Sequence, residues 1–137
     1  MKIYFAGSIR GGRDDQSSYA KIIKLLTLHG QVLTEHIGLE SLSDQGETGI
    51  SINDIYRRDT KWIEESDVLV AEVTQPSIGV GYEIGYAESL NKTIICLYRE
   101  SDTAKRISGM VEGNPNVQIK RYKTIEDLSG YFINIFK

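Results

Sequence analysis

Two short apolar runs constrain the fold of this chain more than anything else in it. Residues 67–73 (Asp-Val-Leu-Val-Ala-Glu-Val) and 93–98 (Thr-Ile-Ile-Cys-Leu-Tyr) are almost free of polar interruption. Strands of that kind need both faces covered, which a parallel sheet flanked by helices on its two sides provides. The rest of the pattern agrees. Lys2-Ile-Tyr-Phe-Ala6 reads as a first strand, and Tyr19, Ile22, Ile23, Leu25 and Leu26 recur at helical spacing before His29-Gly30 ends that helix. Residues 31–36 read as strand two. The polar stretch 38–49 has no apolar period and reads as a loop, a candidate lid. Helices are predicted over 51–65, from Tyr82 onward, over 101–111 and over 124–136, with a last strand at 117–121. Alternating strands and helices imply right-handed crossovers and a doubly wound, five-stranded parallel α/β sheet in the order 2-1-3-4-5. At 137 residues and 40% hydrophobic content, residues 1–137 are expected to form a single domain.

In such a sheet, ligands bind at the carboxyl ends of the strands beside the point where strand order reverses. Two segments of unusual composition emerge there. After strand one comes Gly7-Ser8-Ile9-Arg10-Gly11-Gly12-Arg13. Its glycines let backbone N–H groups converge, the next helix contributes its positive end, and Ser8, Arg10 and Arg13 add donors suited to phosphate. It is neither the dinucleotide fingerprint nor a Walker loop. After strand three comes Glu72-Val-Thr-Gln-Pro-Ser77-Ile-Gly79-Val-Gly81-Tyr-Glu83, where a Pro/Gly loop delivers a carboxylate to the mouth of a helix. Glu83 could equally be an ordinary acidic residue favoured near a helix N-terminus. The convergence of the two segments turns weak motifs into one candidate site.

The helix over 51–65 supplies a third contributor. Ile55, Asp59, Trp62 and Ile63 share one stripe, so Asp59 interrupts an apolar face while Arg57, Arg58 and Lys61 are expected to point elsewhere. A carboxylate there is either a buried structural acceptor or a group that holds its proton, as a general acid would.

Bulk properties narrow the function classes. A net charge of −3 leaves no broad footprint for duplex DNA or RNA, so phosphate recognition must be local and a small anionic substrate fits better. The single Cys96 sits in an apolar strand, where an inert buried thiol is expected, and it cannot form an internal disulfide. His29 and His36 do not make a zinc site; His36 is read as a packed strand-end residue with a possible place in a base pocket. No signal peptide, spanning segment or repeat is found, and a reducing cytoplasm, or a nucleus, is the expected compartment.

With Tyr4, the 7–13 turn, Asp59 and Ser77-Ile-Gly-Val-Gly-Tyr-Glu83 in place, the chain resembles the 2'-deoxynucleoside 5'-phosphate N-hydrolases, relatives of the nucleoside 2-deoxyribosyltransferases. The likeness runs from Lys2 to about Met110 and includes Val32-Leu-Thr-Glu-His36 and Ala71-Glu-Val-Thr-Gln-Pro-Ser77. It implies cleavage of the N-glycosidic bond of a deoxynucleoside monophosphate without metal or organic cofactor. Carried over by position, Glu83 would be the nucleophile, Asp59 would assist proton transfer at the leaving base or orient the sugar, and Tyr4 would contact the sugar and nucleophile. Ser8, Arg10, Gly12 and Ser77 would hold the 5'-phosphate, Gly7, Gly11 and Gly79 would also bind the substrate, and Ile9, with His36 and the loop after it, could line the base pocket. Ser108, within Ile107-Ser-Gly-Met110, would reach that phosphate from the neighbouring subunit of a homodimer, and Met110 would also bind the substrate. Tyr86 and Glu112 stand where basic residues are common in that family. The expectation is an ionised Glu83 and an Asp59 that keeps its proton more readily, with the reacting carboxyl groups roughly 5 Å apart as in retaining glycosidases. The competing readings are a deoxyribosyltransferase, which would pass the sugar to a second base, and a nucleotide-binding sensor without catalysis.

Overall fold

The computed structural model describes residues 1–8, 16–34, 36, 48–101 and 106–137. The remainder of the glycine-rich turn (Ile9, Arg10, Gly11, Gly12, Arg13) and residues 38–47 of the expected loop lie outside the described residues. Among the described residues ten elements follow in chain order: β1 (Lys2–Ala6), α1 (Gln16–Leu26), β2 (Gln31–Val32), α2 (Ile52–Glu65), β3 (Val68–Glu72), α3 (Ile78–Ser89), β4 (Thr93–Arg99), α4 (Gly109–Glu112), β5 (Val117–Tyr122) and α5 (Ile125–Ile135). The strands form one parallel sheet in the order β2-β1-β3-β4-β5, with Tyr4 beside Leu69 and Ile94 beside Leu69 in register.

Period-two alternation sorts each strand between two apolar layers. Ile3, Phe5, Val68, Val70, Ile95 and Leu97 face Tyr19, Ile22 and Leu26 of α1 and Leu128 and Phe132 of α5. Tyr4, Ala6, Leu69, Ala71, Ile94 and Cys96 face Ile63 of α2 and Val80, Ile84 and Ala87 of α3. Tyr4 is therefore turned toward the two helices that carry Asp59 and Glu83. Cys96 is buried in the same layer, and burial pushes its thiol up to about 12, as an inert core cysteine should behave.

Three boundaries differ from the pattern-based expectation, and for two of them local contacts give the reason. β2 is only two residues long, because the Thr34 hydroxyl takes over the pairing of Phe5: it accepts from the Phe5 N–H at 2.9 Å and donates to the Phe5 carbonyl at 2.7 Å. α3 starts at Ile78, not Tyr82, with Ser77 as N-cap accepting from the Val80 N–H at 3.2 Å. Gly79 and Gly81 thus lie inside the helix despite their low propensity, since Val80, Ile84 and Ala87 are packed on the sheet. Helical structure expected across 101–111 reduces, among the described residues, to the four-residue α4. Gly30 ends the first helical unit through close approach: a Cβ there would stand 2.4 Å from the Met1 carbonyl oxygen, which accepts from Gln31 N–H at 2.9 Å. α5 carries a full capping box between Thr124 and Asp127.

Candidate active site

Three elements deliver the candidate residues to the carboxyl ends of β1 and β3. β1 presents Tyr4 on the α2/α3 face and continues into Gly7 and Ser8. Ser8 is fully buried: its N–H donates to the Tyr19 hydroxyl at 3.1 Å, while its Oγ has no hydrogen-bond partner among the described residues. Gly7 lies flat under an aromatic ring, for a Cβ there would come within 3.0 Å of Tyr19.

Glu83 occupies the second turn of α3, six positions after the Ser77 cap. Its side chain folds back toward the helix start, as helical side chains do, and Oε1 lies 3.8 Å from where a Cβ on Gly79 would stand. Oε2 is buried with no hydrogen-bond partner among the described residues. A buried carboxyl oxygen left without a donor is costly, and such sites are where function is expected. Burial pushes the Glu83 carboxyl up to about 7; the hydrogen bond from Tyr4 opposes that rise, and the negative charge of Asp59 adds to it. Tyr4 is raised well above the ordinary phenol range, first by its own burial and then by the charges of Glu83 and Asp59. It stays a proton donor to the carboxylate.

Two of these surroundings differ from the expectation. Glu83 sits a turn deeper in α3, and burial of its carboxyl works against ionisation. Asp59 is not a lone carboxyl on an apolar stripe: its Oδ1 receives the Arg58 Nε–H at 3.0 Å, and the two side chains are 26% and 23% exposed. Ile63 is fully buried as expected, whereas Ile55 and Trp62 are half-buried.

Arg58 was expected to point elsewhere, yet it turns into the site. Its guanidinium carbon lies 4.8 Å over the Trp62 ring, and its Nη2 approaches His36 Nε2 at 3.4 Å. His36 in turn lies 5.9 Å from Trp62, ring to ring, so it belongs to this cluster instead of closing a strand. The Arg–Trp spacing of four residues on a helix was the available signal for it.

The structure therefore brings Tyr4, Asp59 and Glu83 together, with Ser77 and Gly79 at the helix start. Ser108 and Met110 stand apart from that cluster. Ser108 caps α4, accepting from the Met110 N–H at 3.2 Å, and Met110 is 85% exposed. Both line a cleft of about 660 Å³ on another flank of α3, which also touches Ser77 but not Tyr4, Asp59 or Glu83. Gly81 and Gly85 form part of its wall, with open space where their side chains would be. Tyr86 donates to Glu64 at 2.5 Å and Glu112 pairs with Arg121 at 3.5 Å, so neither faces the carboxylate cluster. Among the described residues no group of three or more His, Cys, Asp or Glu is placed to hold a metal, and no helix is long and apolar enough to cross a membrane.

Comparison with known proteins places this geometry in context. The family model described as nucleoside 2-deoxyribosyltransferase matches residues 3–134. A 5-hydroxymethyl-dUMP N-hydrolase of Danio rerio is 50% identical over 129 residues, covering 92% of this chain and 90% of that protein. A protein of the same name from Esox lucius is 46% identical over 142 residues, covering 100% and 97%. Among solved structures, the CMP N-glycosidase of Clostridium botulinum superposes with a TM-score of 0.67 at 19% identity, covering 98% of this chain and 99% of that one, a likeness of fold.

Proposed function

The chain belongs to the nucleoside 2-deoxyribosyltransferase family, and from that premise we propose that it hydrolyses the N-glycosidic bond of 2'-deoxynucleoside 5'-monophosphates. The products are a free base and 2-deoxyribose 5-phosphate. The observation that carries the proposal is the buried Glu83 carboxyl, hydrogen-bonded by Tyr4, with one oxygen unpartnered among the described residues and Asp59 beside it. The N-hydrolase relatives point the same way.

In this reading, ionised Glu83 attacks the anomeric carbon as the bond to the base breaks and its electron pair leaves with the base. Tyr4 steadies the carboxylate. The resulting glycosyl ester is opened by water, whose oxygen ends on the sugar and whose proton is released, regenerating Glu83. A 2-deoxy sugar suits the mechanism, since no 2'-hydroxyl withdraws density from the oxocarbenium-like transition state. Ser8, Ser77 and the turn through Gly12 bind the 5'-phosphate, and that remote binding energy fixes the sugar over Glu83. Asp59, already paired with Arg58, orients the sugar or assists the transfer of a proton to the departing base.

The assembly is a homodimer in which Ser108 and Met110 complete the neighbour's site. The cleft wall at Gly81 and Gly85, bare of side chains, allows the close approach this needs. Chromatography of base release from dGMP, 5-hydroxymethyl-dUMP, GMP and deoxyguanosine tests the reading. Release is expected from the two deoxynucleotides and far more slowly from the others. Equal turnover of deoxyguanosine would remove the monophosphate claim, and formation of a new nucleoside in the presence of a second base would favour a transferase.

A further inference from the structure

The established resemblances assign nothing to Arg58, yet its surroundings are built with care. It is pressed against Trp62 at 4.8 Å, donates through Nε to Asp59 Oδ1 at 3.0 Å and reaches His36 Nε2 with Nη2 at 3.4 Å. Only 23% of its side chain is exposed. A surface arginine gains little from ordering so long a chain. Here three different groups hold one guanidinium in one place. A guanidinium can only donate, so His36 must offer the Nε2 lone pair and keep its proton on Nδ1. Arg58 thus joins the ring at residue 36 to the carboxylate beside Glu83.

Given the proposed hydrolase reading, on which this step rests, we propose that Arg58 is the positioning residue of the site: it locks the Asp59 carboxylate in orientation and charge and couples it to His36. Among the described residues, Asp59 is faced by Tyr4 from β1, by Glu83 from α3 and by Arg58 on its own helix, with His36 behind Arg58. Two negative charges near one another would otherwise favour uptake of a proton by the pair. A cation held 3.0 Å from Asp59 Oδ1 favours the charged form of that carboxyl, so both carboxylates can be charged at once. Lysine cannot replace it fully, because an ammonium is a point charge without the planar fork that serves two acceptors.

Arg58→Met keeps the stem that lies on Trp62 and removes the charge; Arg58→Lys keeps a charge and loses the fork. Two readouts are taken on the full chain. The first is kcat and KM for the deoxynucleotide across pH; the second is the 13C carboxyl titration of Asp59 by NMR, which requires no turnover. Arg58→Met is expected to lower kcat on the order of tenfold or more, with a smaller change in KM. It should also move both the acid limb of kcat/KM and the Asp59 titration to higher pH, and Arg58→Lys should recover part of each shift. An Asp59 titration unchanged in Arg58→Met would overturn the proposal. So would equal impairment of both variants with the wild-type pH profile, the signature of a merely structural staple. Should Arg58→Met fail to fold, the Arg58→Lys titration decides alone: an Asp59 value above that of the wild type is expected, and an unchanged one overturns the proposal. A wild-type protein inert toward every deoxynucleotide would instead sink the hydrolase reading, while the NMR result would still settle Arg58.

Discussion

Removing the Tyr4 hydroxyl and removing the Asp59 charge should shift the activity of this protein along the pH axis in opposite directions. Glu83 must be ionised to attack carbon, and burial places its carboxyl at about 7. Activity should therefore fall as pH drops below that value, by about tenfold per unit in kcat/KM once most Glu83 is protonated. The Tyr4 hydrogen bond lowers the Glu83 value and the Asp59 charge raises it. A hydrogen bond to a charged group contributes about 1.5–3 kcal/mol, which at about 1.36 kcal/mol per unit corresponds to about one to two pH units. In Tyr4→Phe the acid limb should thus move upward by about that much. In Asp59→Asn the residual activity should show a limb displaced downward, because a like charge has gone. Base release followed by absorbance or chromatography from about pH 5 to about pH 9 measures both. Limbs that move together, or a wild-type profile flat through the neutral range, would refute the reasoning that Glu83 is a buried, Tyr4-supported nucleophile.

Two further outcomes concern stability. Glu83 has a folded value near 7 against an ordinary 4.5, so between those values the folded protein binds more protons than the unfolded chain. Its contribution to stability is complete below about 4.5 and lost as pH rises through 7. Glu83→Gln should therefore stabilise the fold at about pH 8 by up to about 3 kcal/mol and change it little at about pH 5, as thermal melts at the two pH values will show. Gly30→Ala forces a methyl against the Met1 carbonyl at 2.4 Å. It should cost about 1–3 kcal/mol and lower Tm by several degrees, with kcat unchanged.

The parallel sheet could be read from the chain because β3 and β4 announce themselves: strands buried on both faces leave no other home for five consecutive buried positions such as Ile94, Ile95, Cys96, Leu97 and Tyr98. The candidate site stood out in the sequence for a related reason, since unusual residues cluster where two strands end. What escaped is governed by tertiary contacts. β2 stops early because one hydroxyl, that of Thr34, satisfies a neighbouring strand, and no periodicity records such a substitution. Gly79 and Gly81 suggested a loop, but packing of Val80 and Ile84 on the sheet outweighs their propensity, which carries Glu83 a turn deeper than expected, where burial raises its carboxyl. A helical wheel fixes where a Cα lies, not where a long side chain ends. Arg58 leaves α2 off the apolar stripe and returns over Trp62 to reach Asp59, a path only coordinates reveal.

The account stands on Glu83 as the group that bonds to the sugar. Quenching the protein in acid during turnover of a deoxynucleoside monophosphate, digesting it and mapping the peptides by mass spectrometry addresses that directly. A 2-deoxyribosyl 5-phosphate adduct should appear on the peptide at Glu83 and vanish in Glu83→Gln together with base release. An adduct on Asp59, or undiminished base release by Glu83→Gln, would contradict it.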